Sequence, residues 1–229
     1  MVLSVTRGAP FPRLSAHYEN TFIFQAPYWR SGHGLQTAAY ASSVAEPFAY
    51  PESLVAGRPV EGKPVTQGIR IGSEEVTLES TPIRDLAKKL HFSLMREGDG
   101  DYTRDWTCLT TGSGSDDFSI WLIATGSPAV TEAQMASNGL SPRGKGTCHL
   151  LKGSEKNVSI GGITPGMTWN QVLAKFGQPT YVADDDWYFW STSKTIEEFS
   201  NSREQMNWTG VQLEKGKVSR LFSSQATNP

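Results

Sequence analysis

The side chains from which a reactive or metal-binding centre could be built are few in this sequence: four histidines, two cysteines and one run of aspartates. His17, His33, His91 and His149 are scattered, and no two stand four residues apart as helix-borne zinc ligands do. Cys148 and His149 are adjacent, and strand neighbours point to opposite faces, so they make a poor nucleophile and base. Gly139 to Gly146 (GLSPRGKG) approaches a phosphate-binding loop, but Gly146 stands where a Ser or Thr would hold magnesium. Its setting is also wrong, with a helix-like stretch before it and a strand-like one after. Asp184-Asp185-Asp186 lacks the alternating ligands and glycine of a calcium loop and reads as a solvated turn. The residues point to no cofactor, no metal and no enzyme; the enzymatic alternative needs an unrecognised site in the N-terminal arm, with His17 and His33 in a cleft.

Bulk composition narrows the partners. A net charge of −2 and a pI near 6.1, without any run of Lys and Arg, argue against nucleic acid. No apolar stretch reaches the roughly 18–20 residues that cross a bilayer. The start, MVLSVTRGAPFPRL, has no leader pattern. It fits a mature exported chain with a starting Met in place of its leader, periplasmic or outer-membrane-associated, with a lipid anchor upstream as an option; cytoplasmic is the runner-up. Cys108 and Cys148 are either two buried thiols or one disulfide, which would persist only in an oxidising compartment.

Three regions are expected along the chain. Residues 1–66 hold seven of the 13 prolines and nine aromatics and read as an arm that packs on the body. They contain a strand at Thr21–Gln25, a short helix at Leu35–Val44 and a linker at Pro51–Pro64. Residues 67–155 open with strands Gly68–Ile71 and Glu75–Leu78. A helix follows, capped by Thr81 with Pro82 in its first turn, and Ile83, Leu86, Ala87 and Leu90 form its apolar stripe. Strands come next at Phe92–Arg96, Tyr102–Thr110 and Phe118–Thr125, then a short helix at Val130–Ser137 and a strand at Gly146–Lys152. Residues 156–229 contain the clearest element, the helix Thr168–Phe176. Thr168 and Gln171 form a capping box, Met167 and Val172 a staple, and Gly177 and Pro179 a stop. Beyond it lie Thr180–Val182, the aspartate turn, Trp187–Ser191, a polar excursion, and a hairpin Thr209–Phe222 turning at Lys215-Gly216.

The stretch Ile163-Thr164-Pro165-Gly166-Met167-Thr168-Trp169-Asn170-Gln171-Val172-Leu173-Ala174-Lys175-Phe176-Gly177-Gln178-Pro179, with the strands after it, resembles the small modules of two bacterial families. One is the outer-membrane-assembly lipoprotein commonly called BamE; the other is the β-lactamase-inhibitor protein. The resemblance is clear over about 161–224 and degenerate over about 68–140. It implies an α+β fold of two tandem modules, each a short helix packed on its own antiparallel sheet. It also implies an envelope protein that binds another protein through its open sheet face and loops, as an immunity protein or enzyme inhibitor does. A structural component of outer-membrane assembly is the alternative.

The aromatic strand Trp187-Tyr188-Phe189-Trp190 supplies the candidate contact residues. With Trp187 and Phe189 facing the helix, Tyr188 and Trp190 lie on the open face; Trp187, Asp184, Asp185 and Trp106 complete the candidate contact set, a composition typical of interface hot spots. The competing reading is that another part of the chain covers these rings.

Overall fold

Period-two alternation, not helical periodicity, governs most of the chain. The structure, a computed structural model, describes residues 44–51, 59–62, 64–66, 68–100, 103–138, 146–183, 186–198 and 201–228. The strand at Thr21–Gln25, all but the last residue of the helix expected at Leu35–Val44, His17, His33, Asp184, Asp185 and most of the Gly139–Gly146 loop lie outside the described residues. In chain order the elements are β1 (Val60–Glu61), β2 (Ile69–Ile71), β3 (Glu74–Val76), α1 (Ile83–Lys89), β4 (Met95–Glu97), β5 (Arg104–Thr110), β6 (Phe118–Thr125) and β7 (Glu132–Ser137). Then come β8 (His149–Leu150), β9 (Val158–Ile160), α2 (Trp169–Phe176), β10 (Tyr181–Ala183), β11 (Trp187–Glu198), β12 (Asn201–Glu214) and β13 (Lys217–Asn228).

Ten of these strands form one mixed sheet in the order β1-β11-β12-β13-β7-β6-β5-β4, with β10 also on β11 and β8 also on β5. The expected fold class, α+β with two tandem helix-on-sheet modules, is therefore corrected: the protein is mostly β, and one continuous sheet runs through both halves. The join is the antiparallel pairing of β13 with β7, which sets Leu221 beside Met135 and Ser223 beside Ala133. A second sheet, β3-β2-β9, pairs Arg70 with Ser159.

Two segments change type. Val130–Ser137, expected as a helix, supplies β7, whose middle four residues are all buried between β6 and β13. The polar excursion after Ser191 is strand as well, because β11 and β12 pair without a register break from Trp187↔Gln212 to Glu198↔Asn201. Its Thr and Ser residues are compatible with a pleated ladder once both neighbours bond to it. The turn into β13 falls at Lys215 and Gly216, both at positive φ, as a tight hairpin requires.

Both helices lie on one face of the large sheet. Ile83, Leu86 and Ala87 of α1, with Val172 and Phe176 of α2, close over Leu109, Ile120, Leu122, Met135, Val211 and Leu221. In α2 the Gln171 carboxamide oxygen accepts the Thr168 backbone N–H at 2.8 Å, and Gly177 turns the chain out at φ 73°. In α1 Pro82 occupies the cap position, and the Thr81 hydroxyl instead accepts the Thr77 N–H.

The opposite face is covered by the extended segment Val44–Tyr50. The Ala45 carbonyl accepts two indole N–H groups, from Trp121 at 3.0 Å and Trp106 at 3.3 Å. The Ala45 N–H donates to Thr147, in the stretch that Cys148 ties to Cys108 of β5 by a disulfide. Gly146 lies where this strap crosses, and a Cβ there would overlap the Val44 backbone. Replacing both cysteines by serine opens a loop of 40 residues and is expected to cost about 4 kcal/mol on loop-closure grounds. A matching fall in the urea midpoint, reproduced by reductant on the native chain, is the check.

Candidate binding crevice

The aromatic strand divides its rings between the two faces, and the division is the reverse of the sequence expectation. Tyr188 and Trp190 point to the helix side, where Trp169 of α2 lies 4.3 Å from Tyr188 and 6.1 Å from Trp190, ring centre to ring centre. Trp187 and Phe189 point away from the helices. Both parities put an aromatic pair on each face, so Trp169 and Phe176, aromatic groups of α2 that pack on Trp190, decide the matter.

The face away from the helices is aromatic but not open. One row of paired positions crosses it as Cys108, Trp121, Gln134, Phe222, Gly210 and Phe189. Gly210 makes room for the Phe222 and Phe189 rings, which a Cβ would strike. Over the row lie Phe48, edge-on to Trp121 at 6.0 Å, and Tyr50, stacked on Phe222 at 4.3 Å. Trp106, Trp187 and Trp190 are all buried and Tyr188 is half-buried, so these rings serve the interior in this structure.

Hydrogen bonds fasten the strap. The Phe48 N–H donates to the Gln134 carboxamide oxygen at 2.9 Å. Gln134 in turn donates to Glu132 at 2.6 Å, and the Tyr50 hydroxyl donates to the other oxygen of Glu132 at 3.2 Å. Burial pushes the Glu132 carboxyl above the usual carboxylate range, because its oxygens are enclosed although the residue as a whole is only partly covered. At the far edge of the sheet, the paired Arg96 guanidinium holds Asp105 below that range, through bonds of 2.6 and 2.7 Å.

On the helix side the long strands β11, β12 and β13 grade from apolar to polar. Successive cross-strand rows are Tyr188, Val211 and Leu221; then Trp190, Thr209 and Ser223; then Thr192, Asn207 and Gln225; then Lys194, Gln205 and Thr227. α2 covers the first rows. The polar rows form one wall of a crevice of about 550 Å³, and residues including Pro64, Thr66, Thr77, Leu78 and Ser80 form the other. Thr66 bonds to Ser223 at 2.6 Å and to Thr209 at 3.1 Å, closing the apolar end.

Glu79 organises the polar end. Its carboxylate accepts from the Thr227 hydroxyl at 2.6 Å, the Gln225 amide at 2.7 Å, the Thr227 N–H at 2.8 Å and the Gln205 amide at 3.3 Å. It does so from a left-handed backbone, φ 58°, which a side chain such as Glu adopts only when its surroundings impose it. Asn207 is 5% exposed, yet among the described residues its side-chain N–H₂ has no partner, and neither has the Thr192 hydroxyl in the same row. An unpaired buried donor costs about 1–3 kcal/mol, so each calls for an acceptor that water or a ligand can supply. Among the described residues, Trp190 Nε1, Ser191 Oγ and Arg220 Nε are buried in the same unpaired state outside this row.

None of these crevice residues stood out in the sequence, where 192–208 read as a polar excursion. The available signal was period two: Gln205, Asn207, Thr209 and Val211 alternate with Met206, Trp208 and Gly210. Among the described residues no group of His, Cys, Asp and Glu could hold a metal ion, and no helix is long and apolar enough to cross a membrane.

Two outcomes are expected. Glu79→Ala strands the donors of Gln225 and Thr227, leaves Gln205 only its bond to the Thr227 hydroxyl, and should cost about 3 kcal/mol, read from the urea midpoint. Glu132 binds its proton more tightly folded than unfolded, so its contribution falls as pH rises from the ordinary carboxylate range through its raised folded value. Asp105 acts oppositely, its contribution being lost as pH falls. Glu132→Gln should remove the decline on the alkaline side and leave the acid side unchanged in a stability–pH profile.

No family model matches the chain, and neither a curated protein nor a solved structure matches it.

Proposed function

We propose that this chain is a bacterial envelope protein that works by holding another protein, as an immunity protein to a secreted toxin or an inhibitor of an envelope enzyme does, and not by catalysis. The observation that carries this reading is the crevice on β11–β13. Its wall carries carboxamides and hydroxyls, the half-buried Glu79 carboxylate at its polar end already accepts four hydrogen bonds, and a buried donor at Asn207 has no partner among the described residues. Such groups hold and orient a ligand; they do not move protons. The disulfide between Cys108 and Cys148 favours an oxidising compartment, the periplasm. The resemblance of 161–224 to the inhibitor and assembly-lipoprotein modules favours a protein partner. The contact surface, however, moves from the aromatic rings to the crevice and its exposed rim, which includes Lys194.

A photo-crosslinking phenylalanine analogue placed at Lys194, in the cells that make the protein, tests this. Lys88 on the outer side of α1, also exposed, is the control position. One adduct of defined mass is expected from position 194 and not from 88. The same adduct pattern from both positions, or none from 194, would contradict the reading.

A further inference from the structure

We infer that the crevice takes an extended peptide segment of the partner, bonded through its backbone to Asn207, Gln205 and Gln225; this rests on the reading of the chain as a binder of proteins. The groups alternate in kind. Asn207 offers an unpaired donor. Gln205 spends its N–H₂ on Glu79 and Thr227, and Gln225 gives one N–H to Glu79, so each has a carbonyl oxygen left as an acceptor. A ligand must therefore present acceptors and donors side by side, as a peptide backbone does.

Spacing agrees with this. Gln205 and Asn207 are next-but-one on a single strand, so their side chains repeat at roughly 6.6 Å, the distance at which an extended peptide presents successive amides on one side. The remaining lining adds an apolar component at Pro64 and Leu78 for the alternate side chains, and among the described residues it contains no aromatic ring. The Lys194 ammonium, exposed at the mouth, favours a carboxylate there. A volume of about 550 Å³ holds a short segment, not a folded element.

The free protein bears a cost at Asn207 that a bound peptide removes. Asn207→Leu, close in size and without polar atoms, should leave the unliganded chain at least as stable as the native one while losing the ligand. The probe is a displayed library of random linear heptapeptides, selected on the full native chain. We expect enriched sequences with a carboxylate at a fixed position, affinity at least tenfold weaker for N207L, and affinity several-fold weaker for K194E, a surface change that leaves folding alone. An unliganded Tm for N207L equal to or above the native value completes the expected result. If no sequence is enriched, or if enriched peptides bind N207L and K194E as well as the native chain, the inference is wrong. An adduct at Lys194 alongside that failure would leave the partner reading standing and remove only the peptide mode.

Discussion

One carbonyl oxygen carries an unusual share of this structure. The Ala45 C=O receives the indole N–H groups of both Trp106 and Trp121, two rings that would otherwise be buried with orphaned donors. The strap that carries it brings Phe48 and Tyr50 onto Phe222, Trp121 and Trp187. At roughly 2 kcal/mol for each large side chain taken out of water, filling this face from within is worth several side chains' burial. The disulfide at Cys148 anchors the neighbouring stretch, and Gly146 gives the strap room to cross. Chemistry that would make a sticky aromatic platform is thereby spent on holding the fold.

The other face follows from where the helices stop. α1 and α2 are only seven and eight residues long and cover the apolar rows of the sheet. The long hairpin β11–β12 and strand β13 run on past them, and their side chains turn polar at that point. Polar groups gathered at a half-covered place must find partners or remain open to a ligand. Glu79 meets three neighbouring residues; the Asn207 N–H₂ and the Thr192 hydroxyl find no partner among the described residues. The crevice is thus the place where the sheet outlasts its cover.

What the sequence reveals depends on how local the determining contacts are. The helix Trp169–Phe176 is legible because Thr168, Gln171 and Gly177, all within ten residues, specify both its ends. The Lys215-Gly216 turn and the nearly all-apolar β6 are legible for the same reason. The single sheet is not, since it depends on β13 meeting β7 some 85 residues away, and nothing near Val130–Ser137 distinguishes a buried strand from a short helix. The facing of Trp187-Tyr188-Phe189-Trp190 could not be read either, because shifting by one residue leaves two aromatics on each side. Asn207 stayed hidden among polar residues that become strand only when two neighbours pair with them.

Amide hydrogen exchange of the free chain at the strap tests most directly whether the aromatic face is filled from within. The Ala45 N–H donates to Thr147 and the Phe48 N–H to Gln134, so both should exchange as slowly as the core amides of β6 and open only with the whole fold. Exchange at Ala45 and Phe48 orders of magnitude faster than at Trp121 and Leu122 would contradict this. The strap would then open on its own, and the aromatic face, not the crevice, would be the surface offered to a partner.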